Sequence, residues 1–371
     1  MSNVAKDLVR FLATSALVML LAVTLTFVVD PLQIFRRAHL FAAMYSQDSR
    51  MQDAGLIRSQ DFDTVFMGTS LALHFRQSDI DRVLGVHSLK LSLNGSTSVE
   101  QNFVLAAALE RHVKMVLWEM DDWIFHDAPG IDSNVYLPAD LYRRNLGGVA
   151  SYLFSGAMAR ESAWILARSI PPIEKPVAWL TTGVIFKFPI DRVDDINVLR
   201  PGFDVAGTYN AKKSFAAFKY ITDPVRSIYL ADGADYDRMV RNFERDAIGL
   251  IAAHPGVTFE IYFPPYSILQ WVAMRDASPG TFEQVYNFTA YVSRRLTSFR
   301  NVQLYDFREA SEVTHDLNNY ADVIHHSPTI DLKVLSWLAE GKYLVDPSAP
   351  TASLDRLKAQ MEAYRVEDVE R

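Results

Sequence analysis

The stretch from Asp63 to Phe75, DTVFMGTSLALHF, constrains the fold more than any other part of this 371-residue chain. A short run of β-branched and aromatic residues ends abruptly at Gly68-Thr69-Ser70, and a helical pattern follows. This order predicts a strand, a tight turn and a helix. A serine on such a turn lies at the carboxyl edge of the strand, where open α/β sheets bind ligands, beside the unpaired N–H groups of the next helix. Ser70 is therefore a candidate nucleophile, and simple helix capping by Thr69 or Ser70 is the alternative.

A candidate base for Ser70 lies near the other end of the chain. Asp322 and His325 are three residues apart, just before another helical pattern. This spacing can place both side chains on one side of a turn, so that the carboxylate orients the imidazole while the other ring nitrogen takes the serine proton. Ser70, His325 and Asp322 would then form a catalytic triad. Two histidines compete with His325 for this role: His326, its neighbour, and His74, which would face Ser70 at i+4 on a helix.

Three short motifs together resemble sequence blocks of the SGNH (GDSL-like) hydrolase superfamily. They are Gly68-Thr69-Ser70, Gly95 within LSLNGS, and Asp322-Val-Ile-His325. The resemblance covers roughly residues 60 to 340. It implies that the backbone N–H groups of Ser70 and Gly95 form an oxyanion hole. The family usually adds an asparagine donor after the third strand, but the matching stretch here reads WEMDDW, and an ionised carboxylate cannot donate. The resemblance therefore implies either a two-donor hole or a donor from elsewhere.

Strand and helix patterns alternate along the rest of the chain. The predicted strands are Thr64–Met67, Ser88–Leu93, Met115–Met120, Phe259–Phe263 and Val302–Phe307. The predicted helices between and after them are Leu71–Leu84, Ser98–Glu110, Tyr236–Ala253, Thr281–Leu296 and Ile330–Leu338. This alternation predicts an α/β fold with a parallel sheet. The resemblance implies a flavodoxin-like three-layer sandwich with five strands in the order 2-1-3-4-5.

A long insertion separates the third and fourth predicted strands. It spans about residues 125–232, more than a crossover between parallel strands needs, and contains a helical pattern at Tyr152–Ser169. We expect it to fold beside the carboxyl edge of the sheet and to shape a groove for an acceptor. Its aromatic residues can stack on sugar rings or form a small core, and we favour the core for most of them: Tyr142, Trp164, Trp179, Phe186 and Tyr209. The other predicted segments are an anchor (1–30), a connecting segment (31–60), the catalytic domain (61–345) and a charged tail (346–371).

Polar residues that follow the predicted strands are candidates for contacting a substrate. Asn94 precedes Gly95, Asp121 belongs to an acidic cluster after the third strand, and Tyr266 follows the fourth strand. The acidic cluster can bind a sugar hydroxyl, but we favour solvated or paired charges at a strand end. Tyr266 is as compatible with a structural turn as with a pocket. The sequence predicts no metal site there, because no histidine repeats at ligand spacing.

The composition limits the classes of partner, catalysis and cofactor that the chain can have. The chain has 37 basic and 44 acidic residues, and the net charge of -7 gives no general attraction to nucleic acid. The absence of cysteine excludes disulfides, thiol catalysis and cysteine-ligated metals. No soluble cofactor is expected, because glycine-rich phosphate-binding loops are absent.

The amino-terminal segment predicts a membrane anchor. Phe11 to Val29 is a run of 19 residues without a charge, just long enough to cross a hydrocarbon core of about 30 Å. A cleaved signal peptide is the alternative, but the run exceeds the ~7 to 15 residues of a typical signal core and no cleavage pattern follows it. Lys6 and Arg10 precede the run while Arg36 and Arg37 follow it, so the charges hardly favour one orientation. By signal-anchor precedent, we expect everything after residue 30 to be extracytoplasmic.

The anchor and the insertion resemble one branch of the superfamily. This branch contains envelope proteins that acylate polysaccharides, such as alginate O-acetylation proteins and the D-alanyl transfer protein of teichoic acid synthesis. The resemblance implies serine-dependent O-acyl transfer, with acetyl the expected group, to an envelope or exopolysaccharide carbohydrate. It also implies a place on the periplasmic face of a bacterial inner membrane and a membrane-bound acyl donor protein as partner. A carbohydrate esterase and an inactive, anchored glycan-binding scaffold are the alternatives.

Overall fold

The computed structural model describes residues 3–41, 45–46, 48–126, 137–143, 145–169, 207–223 and 234–366. The chain divides into two compact units, one formed by Met1–Gln60 and Val135–Ile196 and the other by Asp61–Asn134 and Asn197–Arg371. The strands are β1 (Thr64–Gly68), β2 (Ser88–Ser92), β3 (Met115–Glu119), β4 (Thr258–Phe263) and β5 (Val302–Asp306). The α-helices described are α1 (Asn3–Val29), α2 (Ser49–Ser59), α3 (Gln77–Leu84), α4 (Ser98–Leu109), α5 (Ala139–Tyr142), α6 (Leu146–Leu153), α7 (Gly156–Ser169), α8 (Ala211–Thr222), α9 (Tyr236–Phe243), α10 (Gly249–Ala253), α11 (Ile268–Ala277), α12 (Pro279–Leu296), α13 (Ser311–Thr314), α14 (Pro328–Glu340) and α15 (Ala352–Ala363).

The second unit contains a five-stranded sheet whose strands all run parallel. Their order is β2-β1-β3-β4-β5, and helices lie on both sides. The sequence prediction of the fold class and of the strand order is therefore confirmed. In the ladder Gly68 pairs with Ser92, and Met67 pairs with Trp118. This register brings the turns after β1, β2 and β3 together at the carboxyl edge of the sheet.

The segment after β1 differs from the predicted helix over Leu71–Leu84. A single turn of 3-10 helix covers Ser70–Ala72, and the α-helix begins only at Gln77. The cause lies on β2, where the buried ammonium group of Lys90 occupies carbonyl oxygens that a continuous helix needs as acceptors. These acceptors are Ala72 O at 3.1 Å, Leu73 O at 2.6 Å and Phe75 O at 2.7 Å. His74 therefore does not lie on a helix four residues after Ser70.

Two other predicted helices change in detail. The single helix predicted at Tyr236–Ala253 passes through a π-helical segment, Glu244–Ile248, between α9 and α10. The one predicted at Tyr152–Ser169 is replaced by α6 and α7, which are separate. Helices α8 and α11 lie in stretches for which the sequence predicted no helix. In the charged tail, α15 buries Leu354, Leu357 and Met361 in the core of the second unit.

The first unit is built on α1, which is long and apolar enough to cross a membrane. Helix α7 packs against it. The carboxylate of Asp30, just after α1, accepts a hydrogen bond from the Tyr152 hydroxyl at 3.0 Å and from the Ile34 N–H at 2.9 Å. Tyr152 belongs to α6, within the predicted insertion. The described residues of the insertion thus contribute to both units, because α5 to α7 belong to the first and α8 to the second.

Candidate active site

Ser70, His325 and Asp322 are brought together at the carboxyl edge of the sheet. Ser70 Oγ lies 2.9 Å from His325 Nε2, and His325 Nδ1 lies 2.6 Å from Asp322 Oδ2. The carboxylate selects the tautomer in which Nδ1 carries the proton, so Nε2 is left to accept the serine proton. This is the hydrogen-bonded relay of a nucleophile, a base and an orienting acid.

Local hydrogen bonds keep Asp322 ionised. Burial opposes ionisation, but hydrogen bonds from the His325 side chain and from backbone N–H groups lower the pKa of Asp322 below its ordinary value. The N–H groups of Ile324 and His325 both donate to Asp322 Oδ1 at 2.8 Å. The same oxygen therefore caps the turn that presents the imidazole.

The loop that carries Asp322 and His325 is held from outside by α8. The hydroxyl of Ser214 donates to Leu317 O at 3.1 Å and to Tyr320 O at 3.0 Å. The Asn210 N–H also donates to Tyr320 O, at 3.1 Å. On the other side, the Tyr320 hydroxyl donates to Pro265 O at 2.7 Å. The described end of the insertion thus supports the loop of the candidate base.

The two competing histidines take other positions. His326 Nδ1 lies 3.1 Å from Asp331 Oδ1, and both side chains are buried. The rings of His326 and Phe75 are nearly perpendicular, with an interplanar angle of 83°. His74 is also buried. The imidazole nitrogen that reaches Ser70 Oγ belongs to His325.

Two backbone N–H groups in the turns after β1 and β2 have no acceptor in the described part of the chain. They belong to Ser70, which opens the 3-10 turn, and to Gly95, which lies in an exposed turn after β2. Gly95 has φ +59°, a left-handed conformation that glycine adopts without strain. The Leu93 N–H donates to Gly68 O at 2.9 Å and joins this turn to the end of β1. Such free N–H groups can bind an anionic oxygen.

In the stretch that matches the expected third donor, WEMDDW, the strand β3 ends at Glu119. Its side chain is fully buried, and Oε2 accepts hydrogen bonds from Thr69 N at 2.9 Å and Thr69 Oγ1 at 3.3 Å. Burial, and then the charge of Asp121, raise the pKa of Glu119 from its ordinary 4.5 to about 8. The end of β3 therefore presents a carboxyl group to the turn that carries the candidate nucleophile.

The three candidate substrate contacts differ in accessibility. Asn94 is exposed. Asp121 is buried, and its Oδ1 accepts the Trp123 N–H at 3.1 Å. Burial, followed by the charge of Asp122, raises the pKa of Asp121 to about 7. Tyr266 is buried as well, and burial and then the charge of Asp121 raise its pKa well above the ordinary value.

The acidic cluster after β3 is buried, so of the two arrangements favoured from the sequence, solvated or paired charges, the solvated one is wrong. Asp122 is paired with His126, with Oδ2 and Nε2 3.6 Å apart. Trp123, which the sequence did not single out, stacks near His126 and packs against the apolar cluster that includes Leu71. The sequence feature that could have identified Trp123 is its position directly after the acidic cluster.

The aromatic residues singled out in the insertion do not all lie in one unit. Tyr142 and Trp164 are buried in the first unit, and the Tyr142 hydroxyl donates to Arg50 O at 2.8 Å. These two contribute to packing, as favoured from the sequence. Tyr209 is partly buried in the second unit. Trp179 and Phe186 lie outside the described residues.

We also examined the chain for metal-binding groups and for similarity to known proteins. Within the described ranges, no group of three or more His, Asp or Glu side chains is arranged to hold a metal ion. A comparison of the sequence with models of known protein families and with curated proteins found no match. The chemistry of the site is therefore inferred from its geometry.

Proposed function

We propose that this protein is a serine-dependent O-acyltransferase that passes an acyl group, with acetyl the expected one, to an envelope or exopolysaccharide carbohydrate. The observation that carries the proposal is the relay from Ser70 through His325 to Asp322, with distances of 2.9 Å and 2.6 Å. Membership of the SGNH superfamily is part of the same proposal and is supported by the three sequence motifs.

The first half-reaction forms a covalent ester. Ser70 Oγ attacks the carbonyl carbon of the acyl donor while His325 Nε2 takes the hydroxyl proton, and Asp322 stabilises the imidazolium. The N–H groups of Ser70 and Gly95 are the candidate donors to the tetrahedral oxyanion. The intermediate collapses when the bond to the leaving group breaks and His325 returns the proton to it.

The second half-reaction returns the serine. A carbohydrate hydroxyl gives its proton to His325 Nε2 and attacks the ester carbon, and the bond to Ser70 Oγ breaks as the proton moves back to that oxygen. Water can replace the sugar hydroxyl in this step. The same relay therefore also supports a carbohydrate esterase, and the acceptor distinguishes the two activities.

The proposed location rests on α1 together with the family resemblance. Because α1 is able to span a membrane, we place the protein in a bacterial inner membrane with the relay on the periplasmic side, next to a membrane-bound acyl donor. A carboxyl-terminal fusion should be active with a periplasmic reporter. Activity only with a cytosolic reporter would contradict this orientation.

The function is tested with the full chain in detergent or liposomes. We expect a chromogenic acetyl ester to be consumed faster when an oligosaccharide is added, and the acetylated oligosaccharide to be the product. A serine-reactive phosphonate should add one adduct, located on Ser70 by intact-mass and peptide analysis and absent from Ser70→Ala. Ester consumption that never acetylates the sugar would indicate an esterase, and the absence of any adduct would favour a scaffold.

A further inference from the structure

Glu119 is in an unusual position for a glutamate. Because Met67 pairs with Trp118, the next residues along the two strands, Gly68 and Glu119, are neighbours at the end of the sheet. A Cβ at Gly68 would lie only 2.6 Å from Glu119 Oε2. The glycine of the Gly68-Thr69-Ser70 turn thus makes room for this carboxyl group. One residue before Ser70, the Thr69 N–H donates to it.

The surroundings of Glu119 favour the neutral acid. A carboxylate accepts hydrogen bonds at about four lone-pair sites, and burying one without compensation is costly. Here Thr69 supplies the only donors, both to Oε2, while Oε1 is buried without a hydrogen-bond partner in the described residues. Glu119 also has no ion-pair partner there. Protonation removes the charge and leaves one carbonyl oxygen to accept the Thr69 N–H.

The other groups that face Glu119 add no positive charge. Asp121, from the same strand end, is acidic and raises the pKa of Glu119. Tyr262 and Tyr266, from β4 and its following loop, are fully buried and have pKa values well above the ordinary one, so both are neutral. Thr69 is neutral too. The cluster as a whole therefore disfavours a second negative charge.

We propose that Glu119 is a neutral carboxylic acid in the working protein and that it positions Ser70 by holding the Thr69 N–H. A neutral group at this point orients the turn without placing a negative charge beside the oxyanion that forms at the Ser70 N–H. Two negative charges a few ångströms apart repel strongly in a site shielded from water. The catalytic consequence rests on the proposed function, whereas the protonation state does not.

The proposal is tested by the pH dependence of acyl transfer and of phosphonate labelling. Glu119→Gln keeps a carbonyl acceptor and cannot ionise, so its kcat at pH 7 should be of the same order as that of the wild type. The wild type should lose activity as the pH rises through about 8, and Glu119→Gln should not. Glu119→Ala should lower kcat about 100-fold with little change in KM, because the turn is no longer held in place.

Two further variants make this test specific. Asp121→Asn removes the neighbouring charge and should move the alkaline loss of activity to lower pH. Glu260→Gln is the matched control, since Glu260 is a partly buried glutamate of β4 whose pKa is also raised by burial, and it should leave the alkaline limb unchanged. A Glu119→Gln protein as inactive at pH 7 as Glu119→Ala, or one with the wild-type alkaline limb, would overturn the proposal.

A spectroscopic measurement separates this proposal from the proposed function. In the Ser70→Ala background, infrared difference spectra between pH 7 and pH 9 should contain a carboxylic-acid C=O band that Glu119→Gln removes. If this band is present but Ser70→Ala is fully active, the acyltransferase proposal fails and the neutral acid stands. If Ser70 is essential and the wild type lacks the band at pH 7, the neutral acid is wrong. Should Glu119→Gln not fold, the C=O band should disappear at a lower pH in Asp121→Asn than in the Ser70→Ala protein that retains Asp121, and a band that is absent at every pH or does not shift overturns the proposal.

Discussion

The turn that carries Ser70 and the loop that carries Asp322 and His325 are held by different kinds of interaction. Two buried, ionisable side chains from neighbouring strands fix the turn: Lys90 binds three of its carbonyl oxygens, and Glu119 binds the Thr69 N–H. The groups outside the loop that hold it are neutral, mainly the Ser214 hydroxyl and the Asn210 N–H.

The difference has energetic consequences. A neutral hydrogen bond contributes about 1 kcal/mol net, and one to a charged group about 1.5 to 3 kcal/mol. Removal of the charged Lys90 donor should therefore cost more stability than removal of a neutral donor that supports the base loop. The turn also depends on the protonation state of a side chain, which the contacts from α8 do not.

The largest effect should come from removing the atoms that the two regions bring together. Ser70→Ala and His325→Ala should each reduce turnover to near background, a loss of about a millionfold where catalysis is fully serine-dependent, with little change in Tm. Asp322→Ala should cost less, because the carboxylate only orients and stabilises the imidazole. Steady-state acyl transfer and thermal denaturation measure both quantities.

Controls for the relay come from its geometry. The Ser70→Ala/His325→Ala double variant should be scarcely worse than either single one, since the two residues act as a unit. His326→Ala should lower Tm, because Asp331 loses its buried partner, but should spare turnover more than His325→Ala does. His74→Ala should also retain the relay. A greater loss of turnover from either control would mean that the wrong imidazole was assigned.

The next largest effect should come from the support of the Ser70 turn. Lys90→Met leaves three carbonyl oxygens without their charged donor, and we expect the free energy of unfolding to fall by about 3 to 5 kcal/mol. Turnover should fall with it. Lys114→Met is the matched control, because Lys114 forms an exposed pair with Asp63 and should change stability by less than about 1 kcal/mol. Chemical denaturation of both variants measures the two changes in the free energy of unfolding.

Substitution in the support of the base loop should have a smaller effect. Ser214→Ala removes one hydroxyl donor shared by Leu317 O and Tyr320 O, and should cost about 1 kcal/mol of stability. Turnover should decline modestly through looser placement of His325. Ser336→Ala is the control, because the Ser336 hydroxyl donates to Glu340 Oε1 in an exposed hydrogen bond within α14. If Ser214→Ala were as damaging as Lys90→Met, the contrast between the two regions would not hold.

The smallest effect is a difference in how stability depends on pH. The pKa of Glu119 is raised on folding, so between the ordinary 4.5 and about 8 the folded state holds a proton that the unfolded chain has lost, and stability falls as pH rises through this window. The pKa of Asp322 is lowered, so its contribution is lost as pH falls below the ordinary carboxylate range. Tm measured against pH should therefore show a weaker decline between pH 4.5 and about 8 in Glu119→Gln, and a weaker acid decline in Asp322→Asn. Unchanged slopes in both would contradict this assignment.

Among the expectations drawn from the sequence, the structure changes the one for the insertion most. A removable subdomain beside the sheet predicts that deleting residues 125–232 spares hydrolysis of a small ester. The contacts of Ser214 and Asn210 with Tyr320 O indicate instead that such a deletion also disturbs the loop of His325. A deletion meant to test acceptor binding should therefore retain α8.

The sequence by itself determined the α/β alternation and the parallel sheet, and it made Ser70, Asp322 and His325 candidates, because β-branched runs, turn glycines and short motifs lie in residues that are close together in the chain. The family resemblance added the strand order. Only the tertiary structure decided which histidine reaches Ser70, why the helix starts at Gln77, and that the acids after β3 are buried. Lys90 and Glu119 act on the turn from other strands, and Ser214 acts on the base loop from about 100 residues away. Periodicity along the chain cannot encode such contacts, since packing alone determines which distant side chains share a buried space.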